Sequence, residues 1–169
     1  MMQIRDAIVS DFEEITEIYN QIVRSSTAIY SDLPASVEER VAWWQGRRAM
    51  GFPVLVAVED GSLAGYGTFG EFRAWPGYRF TVEGTIHIHS STRGRGIGRA
   101  LLTELVGIAR EMGKHTMVAG VDADNLPSLR FLERFGFERV GHFREVGYKF
   151  DRFLDLVFLQ YWITSHSRP

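Results

Sequence analysis

Hydrophobic residues recur along the chain with two different spacings, and each change of spacing marks a predicted element. Over 10–24 they recur every three or four residues, which predicts an amphipathic helix begun by a capping box of Ser10 and Glu13. The same period predicts helices over 36–50, 101–112 and 125–135. Short apolar or alternating runs predict strands over 3–8, 53–58, 63–72, 80–89, 115–121, 137–150 and 152–163. The order β-α-α-β-β-β-α-β-α-β-β predicts an α/β (α+β) fold, a mixed sheet with helices on both faces.

The strand predicted over 80–89 separates its side chains strictly into two faces. One face is apolar and carries Phe80, Val82, Ile86 and Ile88. The other face is polar and carries Thr81, Glu83, Thr85, His87 and His89. At about 3.3 Å per residue Glu83 and His87 lie ~13 Å apart, which speaks against a direct dyad. The His87-x-His89 pair has no clear third ligand, so no metal site is predicted.

Composition places this pattern in one globular domain, 1–169. The chain has 169 residues, 45% of them hydrophobic and 24% charged, which is typical of a single soluble domain. A formal net charge of −2 argues against a protein that binds nucleic acid through phosphates. The lack of cysteine excludes disulfides, Cys-ligated metals and a cysteine nucleophile. No apolar leader and no apolar run of about 18 residues is visible, so we expect a cytoplasmic protein without a membrane span.

A glycine-rich turn, Arg93-Gly94-Arg95-Gly96-Ile97-Gly98, follows this strand and opens a predicted helix. Glycines let the backbone turn tightly, and the N–H groups at the helix start then point together, which suits a phosphate or pyrophosphate. A Walker A loop is excluded because no Gly-Lys-Ser/Thr is present, and a dinucleotide fingerprint fails at Arg99, where its third glycine belongs. The turn therefore predicts a phosphate-bearing ligand of another class.

The spacing of Arg93, Gly96 and Gly98 fits the pattern Gln/Arg-x-x-Gly-x-Gly/Ala and resembles the acetyl-CoA pyrophosphate loop of the GNAT N-acetyltransferases. A second match lies downstream: the segment 125–137 is similar to the family's Asn-x-x-Ser/Ala…Gly-Phe segment. The two matches cover about 45 residues, and the element order extends the likeness to the whole chain. The resemblance implies the GNAT fold, with a mixed, mostly antiparallel sheet, and acetyl-CoA as cosubstrate.

The segments 72–88 and 147–155 resemble the phosphinothricin acetyltransferase branch of the family. This likeness implies N-acetylation of the α-amino group of methionine sulfone, methionine sulfoximine or phosphinothricin, which would detoxify these small amino-acid analogues. It also implies a homodimer. Glu83 matches a glutamate that the branch carries on the strand before the glycine turn, and we expect it to act as general base, because an α-amino group with a pKa of ~8 must lose a proton to attack the thioester.

The resemblance further assigns binding residues. For acetyl-CoA it implies the end of the strand, the glycine turn and two residues of the next helix: Ile88, His89, Ser90, Arg93, Gly94, Arg95, Gly96, Ile97, Gly98, Arg99, Ala100, Leu101, Asn125 and Ser128. The N–H of Ile88 is the candidate for the oxyanion. For the amino acid it implies Arg73, Trp75, Pro76, Gly77, Arg79, Thr85, Ile86 and His87, with an arginine for the carboxylate.

Two positions depart from the family. Leu132 stands where many members carry a tyrosine that protonates the leaving thiolate, and His87 stands where this branch more often has a tyrosine. Either another group protonates the sulfur, or coenzyme A leaves as a thiolate, which a thiol pKa of ~8.5 permits.

Two other functions fit the same residues. One is N-terminal acetylation of proteins or peptides, which would need an open groove. The other is a non-catalytic acyl-CoA-binding module, which would not need Glu83. Nucleic-acid binding through the arginines of the turn ranks below both, because of the net charge.

Overall fold

The structure, a computed structural model, describes residues 1–164. It contains four α-helices: α1 (Phe12–Ser25), α2 (Val37–Ala49), α3 (Ile97–Glu111) and α4 (Leu126–Phe135). Its seven strands are β1 (Met2–Asp6), β2 (Val54–Glu59), β3 (Ser62–Glu71), β4 (Thr81–Ile88), β5 (Thr116–Asp122), β6 (Glu138–Lys149) and β7 (Arg152–Trp162). The observed order of elements confirms the predicted one, and short 3-10 helices at 9–11, 76–78 and 90–92 are additional.

All seven strands form one sheet in the order β1-β2-β3-β4-β5-β7-β6. Every neighbouring pair is antiparallel except β4 and β5, which run parallel and pair only from Thr81 with Thr116 to Glu83 with Val118. Beyond Glu83 the two strands separate, and the edges of 84–88 and 119–122 face each other without pairing. A seam is thereby open in the middle of the sheet.

Two hydrophobic cores cover the two faces of the sheet, which confirms the predicted layers. One core joins α3 and α4 to the sheet through residues such as Leu101, Leu105 and Leu129. The other joins α1 and α2 to β2 and β3 through Phe12, Trp44 and other residues. Burial of these side chains provides most of the stabilising free energy. No helix within 1–164 is long and apolar enough to cross a membrane.

The start of α1 differs from the prediction. The helix begins at Phe12, and Ser10 lies in the preceding 3-10 turn, so no capping box of Ser10 and Glu13 forms. Instead the Asp11 carboxylate accepts a hydrogen bond of 2.8 Å from the Ile8 N–H and pairs with the Arg5 guanidinium at 2.7 and 2.8 Å. An ion pair from β1 therefore replaces the hydroxyl cap. The expected kind of capping box does occur at α2, between Ser36 and Glu39.

Candidate active site

The glycine turn adopts the tight backbone that its sequence predicts. Gly94 and Gly96 have φ values of +77° and +81°, a region that side chains disfavour, and Gly96 is the N-cap of α3. A Cβ atom at Gly98 would lie 3.3 Å from the Phe131 ring, so glycine also permits close packing of α3 on α4. The first amide that bonds within the helix is that of Ala100, to the Gly96 carbonyl oxygen at 3.1 Å.

The N–H groups of Ile97, Gly98 and Arg99 thus precede the first helical hydrogen bond and are available to an anion. All three residues line an outer cavity of about 490 Å³, together with Arg93, Gly94 and Gly96. The other residues of this segment that were predicted to bind acetyl-CoA do not line the outer cavity. The Arg95 guanidinium pairs with Glu59 at 2.9 Å, while Ala100 and Leu101 belong to the helix.

The seam between β4 and β5 forms an inner cavity of about 110 Å³. The inner and outer cavities adjoin each other, because they share six lining residues: Ala28, Ile86, His87, Asn125, Ser128 and Phe131. The inner cavity reaches Met117, Gly120 and Leu132. A long, narrow ligand with a charged end at the glycine turn therefore has a path into the middle of the sheet.

The backbone of β4 presents polar groups to this path. The His89 N–H bonds to the Ala64 carbonyl oxygen of β3 at 2.9 Å, and in an antiparallel pair such bonds alternate along the strand. The N–H groups of Ile86 and Ile88 accordingly point the other way, toward the seam, where β5 no longer pairs. This orientation suits the predicted role of Ile88, which stays a prediction.

Three other predicted cofactor residues have local partners. The His89 ring lies 2.7 Å from the Ser91 hydroxyl, and the Ser90 hydroxyl accepts a hydrogen bond from Gln21 at 3.1 Å. The Asn125 side chain caps α4 by accepting a hydrogen bond of 3.3 Å from the Ser128 N–H. Asn125 and Ser128 line both cavities, whereas His89 and Ser90 line neither.

Glu83 lies at the point where β4 and β5 separate, and it is half-buried. Its Oε1 would be 3.6 Å from a Cβ atom at Gly120, a residue that lines the inner cavity, although Glu83 itself does not. Within residues 1–164 its carboxylate accepts no hydrogen bond and forms no ion pair. Burial raises the pKa of Glu83, and the positive charges of Arg47 and Arg73 oppose that shift. A partly desolvated carboxylate without partners is suited to accept a proton.

His87 lies on the same face of β4 and lines both cavities. Burial and, to a smaller extent, the positive charge of Arg40 together lower the pKa of His87 to about 4. The ring packs against Tyr66, with 5.3 Å between the ring centroids. His87 is therefore neutral near pH 7. As a neutral imidazole it can form hydrogen bonds in the site, but it is not suited to act as a general acid.

The predicted substrate residues fall into two groups. Thr85, Ile86 and His87 line the inner cavity. The loop residues Arg73, Trp75, Pro76, Gly77 and Arg79 are exposed. Arg73 is near enough to Glu83 to affect its pKa. Arg79 instead bonds the Pro76 carbonyl oxygen at 3.1 Å and stacks over Phe80, while Trp75 is 75% exposed and lines neither of the two cavities.

Several residues around the site were missed by sequence reasoning. Ala28 comes from the loop after α1 and reaches both cavities, and Phe131 lies between α3 and α4. Arg47 comes from α2 to a place beside Glu83. One sequence signal pointed there, since Gly70 interrupts a strand, and such a glycine often marks the close approach of another group. No three His, Asp or Glu side chains in 1–164 are grouped so that they could hold a metal ion.

Comparison with known proteins agrees with this geometry. A family model described as "Acetyltransferase (GNAT) family" matches residues 12–137. The L-methionine sulfoximine/L-methionine sulfone acetyltransferase of Salmonella typhimurium is 42% identical over 168 residues, which are 99% of this chain and 98% of that protein. A further relative of known structure is a GNAT superfamily phosphinothricin acetyltransferase from Sinorhizobium meliloti in complex with AcCoA. It has a TM-score of 0.91 and 35% identity, covering 95% of this chain and 88% of that chain.

A third relative carries a name of another kind. The ribosomal-protein-alanine N-acetyltransferase from Brucella melitensis has a TM-score of 0.93 and 40% identity, covering 95% of this chain and 99% of that chain. The glycine turn, the seam between β4 and β5 and these likenesses agree. The chain belongs to the GNAT family of acetyltransferases, and its cosubstrate is acetyl-CoA.

Proposed function

We propose that the protein transfers the acetyl group of acetyl-CoA to the α-amino group of small amino acids with a tetrahedral, oxygen-bearing sulfur or phosphorus in the side chain. Methionine sulfone, methionine sulfoximine and phosphinothricin are the proposed substrates, and their acetylation would detoxify them. The observation that supports this function best is the continuous path from the glycine turn to the seam beside Glu83. The names of the relatives from Salmonella typhimurium and Sinorhizobium meliloti support the choice of substrates.

In the proposed reaction the amine attacks the thioester directly, since the chain has no cysteine to carry an acyl group. Glu83 takes the proton of the amine, directly or through one water. The Ile88 N–H, which points into the seam, donates to the oxygen that becomes negative. The turn over 94–99 holds the pyrophosphate at the start of α3.

The leaving thiolate has no side-chain acid at position 132, because Leu132 lines the inner cavity with an apolar group. His87 does not replace that acid, since its pKa of about 4 leaves it without the proton at neutral pH. We propose that coenzyme A leaves as a thiolate and is protonated by water, which an unperturbed thiol pKa of ~8.5 allows.

The site needs an amino-acid carboxylate partner, and Arg73 is our candidate. It is exposed, it lies near Glu83, and no ion pair in residues 1–164 engages its guanidinium. A substrate whose amine faces Glu83 would place its carboxylate toward this guanidinium.

We also infer a homodimer formed through β6 and β7. These strands and the turn between them carry several large apolar side chains that are each at least half exposed: Val140, Phe143, Val146, Tyr148, Phe150 and Phe153. Contiguous exposed apolar residues mark interaction surfaces. Light scattering after size exclusion tests this: a dimer that Phe153→Glu converts to monomer supports it, and a wild-type monomer at micromolar concentration refutes it. Because acetyl-CoA is available in the cytoplasm, we place the enzyme there.

A second candidate function, acetylation of a protein N-terminus, is favoured by the name of the relative from Brucella melitensis. One assay separates the two. Thiol release from acetyl-CoA is followed with the three proposed amino acids, with plain methionine and with peptides that begin with alanine. Release with the oxidised or phosphorus-bearing amino acids, and little with methionine or peptides, supports our proposal. Release with peptides alone replaces the substrate class, and silence with all of them while acetyl-CoA still binds favours a non-catalytic module.

A further inference from the structure

The guanidinium of Arg47 occupies the space over Gly70 on the face of the sheet that carries Glu83. A Cβ atom built at Gly70 would overlap this guanidinium, with its Cζ only 2.6 Å away. Glycine is therefore the residue type at position 70 that leaves room for the Arg47 guanidinium above the sheet. The Arg47 guanidinium carbon also lies 5.5 Å from the centroid of the Trp43 ring.

Gly70 lies directly opposite Glu83 in the pairing of β3 with β4. Residues that face each other in an antiparallel pair project to the same side of the sheet, about 5 Å apart. A cation placed over Gly70 is consequently a neighbour of the Glu83 carboxylate. It is not in contact with it, because no ion pair within 4.0 Å joins the two side chains in the described part of the chain.

We propose that Arg47 is a positioning residue that keeps Glu83 ionised and ready to accept a proton, and that Gly70 exists to admit its guanidinium. This inference rests on the proposed role of Glu83 as general base. It adds α2 to the elements around Glu83, which are otherwise β4, the loop after β3 and the facing strand β5.

The charges around Glu83 are few, which makes the effect of Arg47 separable. From α2 comes Arg47, with Arg40 behind it, and from the loop after β3 comes Arg73. From β5 and β7, the neighbours that meet at Gly120 are Leu156 and Phe158, which carry no charge. Burial works against the charged form of both Glu83 and Arg47, and the attraction between them works for it.

The test is the pH profile of kcat/KM at saturating acetyl-CoA for wild type, Arg47→Gln, Arg47→Lys and Gly70→Ala. Without the guanidinium Glu83 binds its proton more readily, so the acid limb moves to higher pH. We expect Arg47→Gln to lower kcat/KM by about tenfold on the acid limb, where Glu83 is largely protonated in both enzymes, and by much less at pH values where Glu83 is ionised in both. Arg47→Lys keeps a cation and restores most of the loss. Gly70→Ala moves the limb as Arg47→Gln does, because its methyl group displaces the guanidinium.

Two matched controls test whether the shift of the acid limb is specific to Arg47 and Gly70. Arg48→Gln removes the same charge from the next residue of α2, where the side chain is exposed and stacks over Trp44, and it should leave the profile unmoved. Gly46→Ala adds a methyl group to α2 where nothing lies within 4 Å. Thermal melts identify any variant that fails to fold. If Arg47→Gln does not fold, the pH profiles of Arg47→Lys and Gly70→Ala test the proposal.

A loss of kcat/KM in Arg47→Gln that is equal at every pH refutes the proposal, because that is the signature of a purely structural arginine. So does an unmoved acid limb. Glu83→Gln distinguishes this failure from a failure of the proposed base. If Glu83→Gln is inactive while Arg47→Gln keeps the wild-type pH profile, the role of Glu83 as general base is supported and the proposed role of Arg47 is wrong. If Glu83→Gln keeps both its rate and its acid limb, the general base itself is wrong.

Discussion

β4 separates two halves of the site that are built in opposite ways. The proposed cofactor half, on the side of α3 and α4, comes from the segments 93–99 and 125–128, and it includes the free N–H groups at the start of α3. The proposed acceptor half, on the side of α2, comprises Glu83, Arg73 and Arg47, which come from three separate elements. One half is encoded locally and the other only by the folded sheet.

This difference determines which substitutions each half tolerates. N–H groups at a helix start bind an anion whatever side chains they carry, provided that the backbone can take the conformation. The cofactor half therefore depends on its glycines more than on its arginines, one of which, Arg95, is turned toward Glu59. The acceptor half has the reverse dependence, since its chemistry resides in a few charged side chains.

The largest effect is expected from Glu83→Gln, which removes the proposed base and leaves the cofactor half intact. Loss of general-base catalysis should reduce kcat by about 10²- to 10⁴-fold. Binding of acetyl-CoA, measured by calorimetry, should stay within about twofold of wild type.

Glu71→Gln is the matched control for this prediction, because Glu71 is an exposed carboxylate at the end of β3. It should leave kcat unchanged. Should Glu83→Gln weaken acetyl-CoA binding as much as it lowers kcat, the separation of the two halves would be wrong.

The next effect should come from the cofactor half. Gly96→Val forces a β-branched residue into a φ of +81°, which costs about 1–2 kcal/mol or more. The KM for acetyl-CoA should rise about tenfold, with kcat at saturation nearly unchanged. Gly107→Ala, in the middle of α3 with nothing within 4 Å, is the control and should leave KM alone. A fall in kcat with an unchanged KM in Gly96→Val would contradict the assignment.

The contrast between the halves also explains how much the sequence could reveal. The order of elements follows from local patterns. For example, Asp60-Gly61 is a dipeptide typical of hairpin turns, and in the structure its φ values are 52° and 84°. The glycine turn and the Asn125 cap are equally local, so their positions follow from the motif. The capping box predicted at Ser10 does not form because Arg5, in the preceding strand β1, pairs with Asp11 at the start of the helix instead.

The acceptor half could not be read in this way. Arg47 is one of several arginines in a charged helix, and only the pairing of β3 with β4 brings it near Glu83. Arg73 and Arg79 look equivalent in the sequence, yet Arg73 lies near Glu83 while Arg79 bonds its own loop. Tertiary contacts, which have no local signature, decide between such residues.

That pair of arginines gives the third prediction. Arg73→Gln should raise the KM for the amino acid about tenfold, the value of one hydrogen-bonded charge pair, with little change in the KM for acetyl-CoA. Arg79→Gln should change neither by more than about twofold. Steady-state kinetics with methionine sulfone would measure both variants. Equal effects of the two substitutions would mean that the carboxylate is held by the net charge of the loop and not by Arg73.

The smallest effect on catalysis is expected from a substitution that loosens the loop after α1. Lys149 is fully buried, and its Nζ donates hydrogen bonds of 2.6 and 2.8 Å to the carbonyl oxygens of Ser26 and Ile29. This holds the loop after α1, whose Ala28 lines both cavities. The loop has two further attachments, from the Thr27 hydroxyl to the Asp122 carboxylate and from the Tyr30 hydroxyl to the Asp155 carbonyl oxygen.

Because those attachments remain, Lys149→Met should loosen the loop without releasing it. Two carbonyl groups lose their donor, which costs about 1–3 kcal/mol and lowers Tm by several degrees. Both KM values should rise together by less than about threefold, since Ala28 of this loop lines both the outer and the inner cavity. Lys114→Met, which removes one hydrogen bond to the Arg79 carbonyl oxygen, is the control and should lower Tm less. A rise in the KM of one substrate alone would show that the loop affects the binding of that substrate only, and that Lys149 does not link the two cavities.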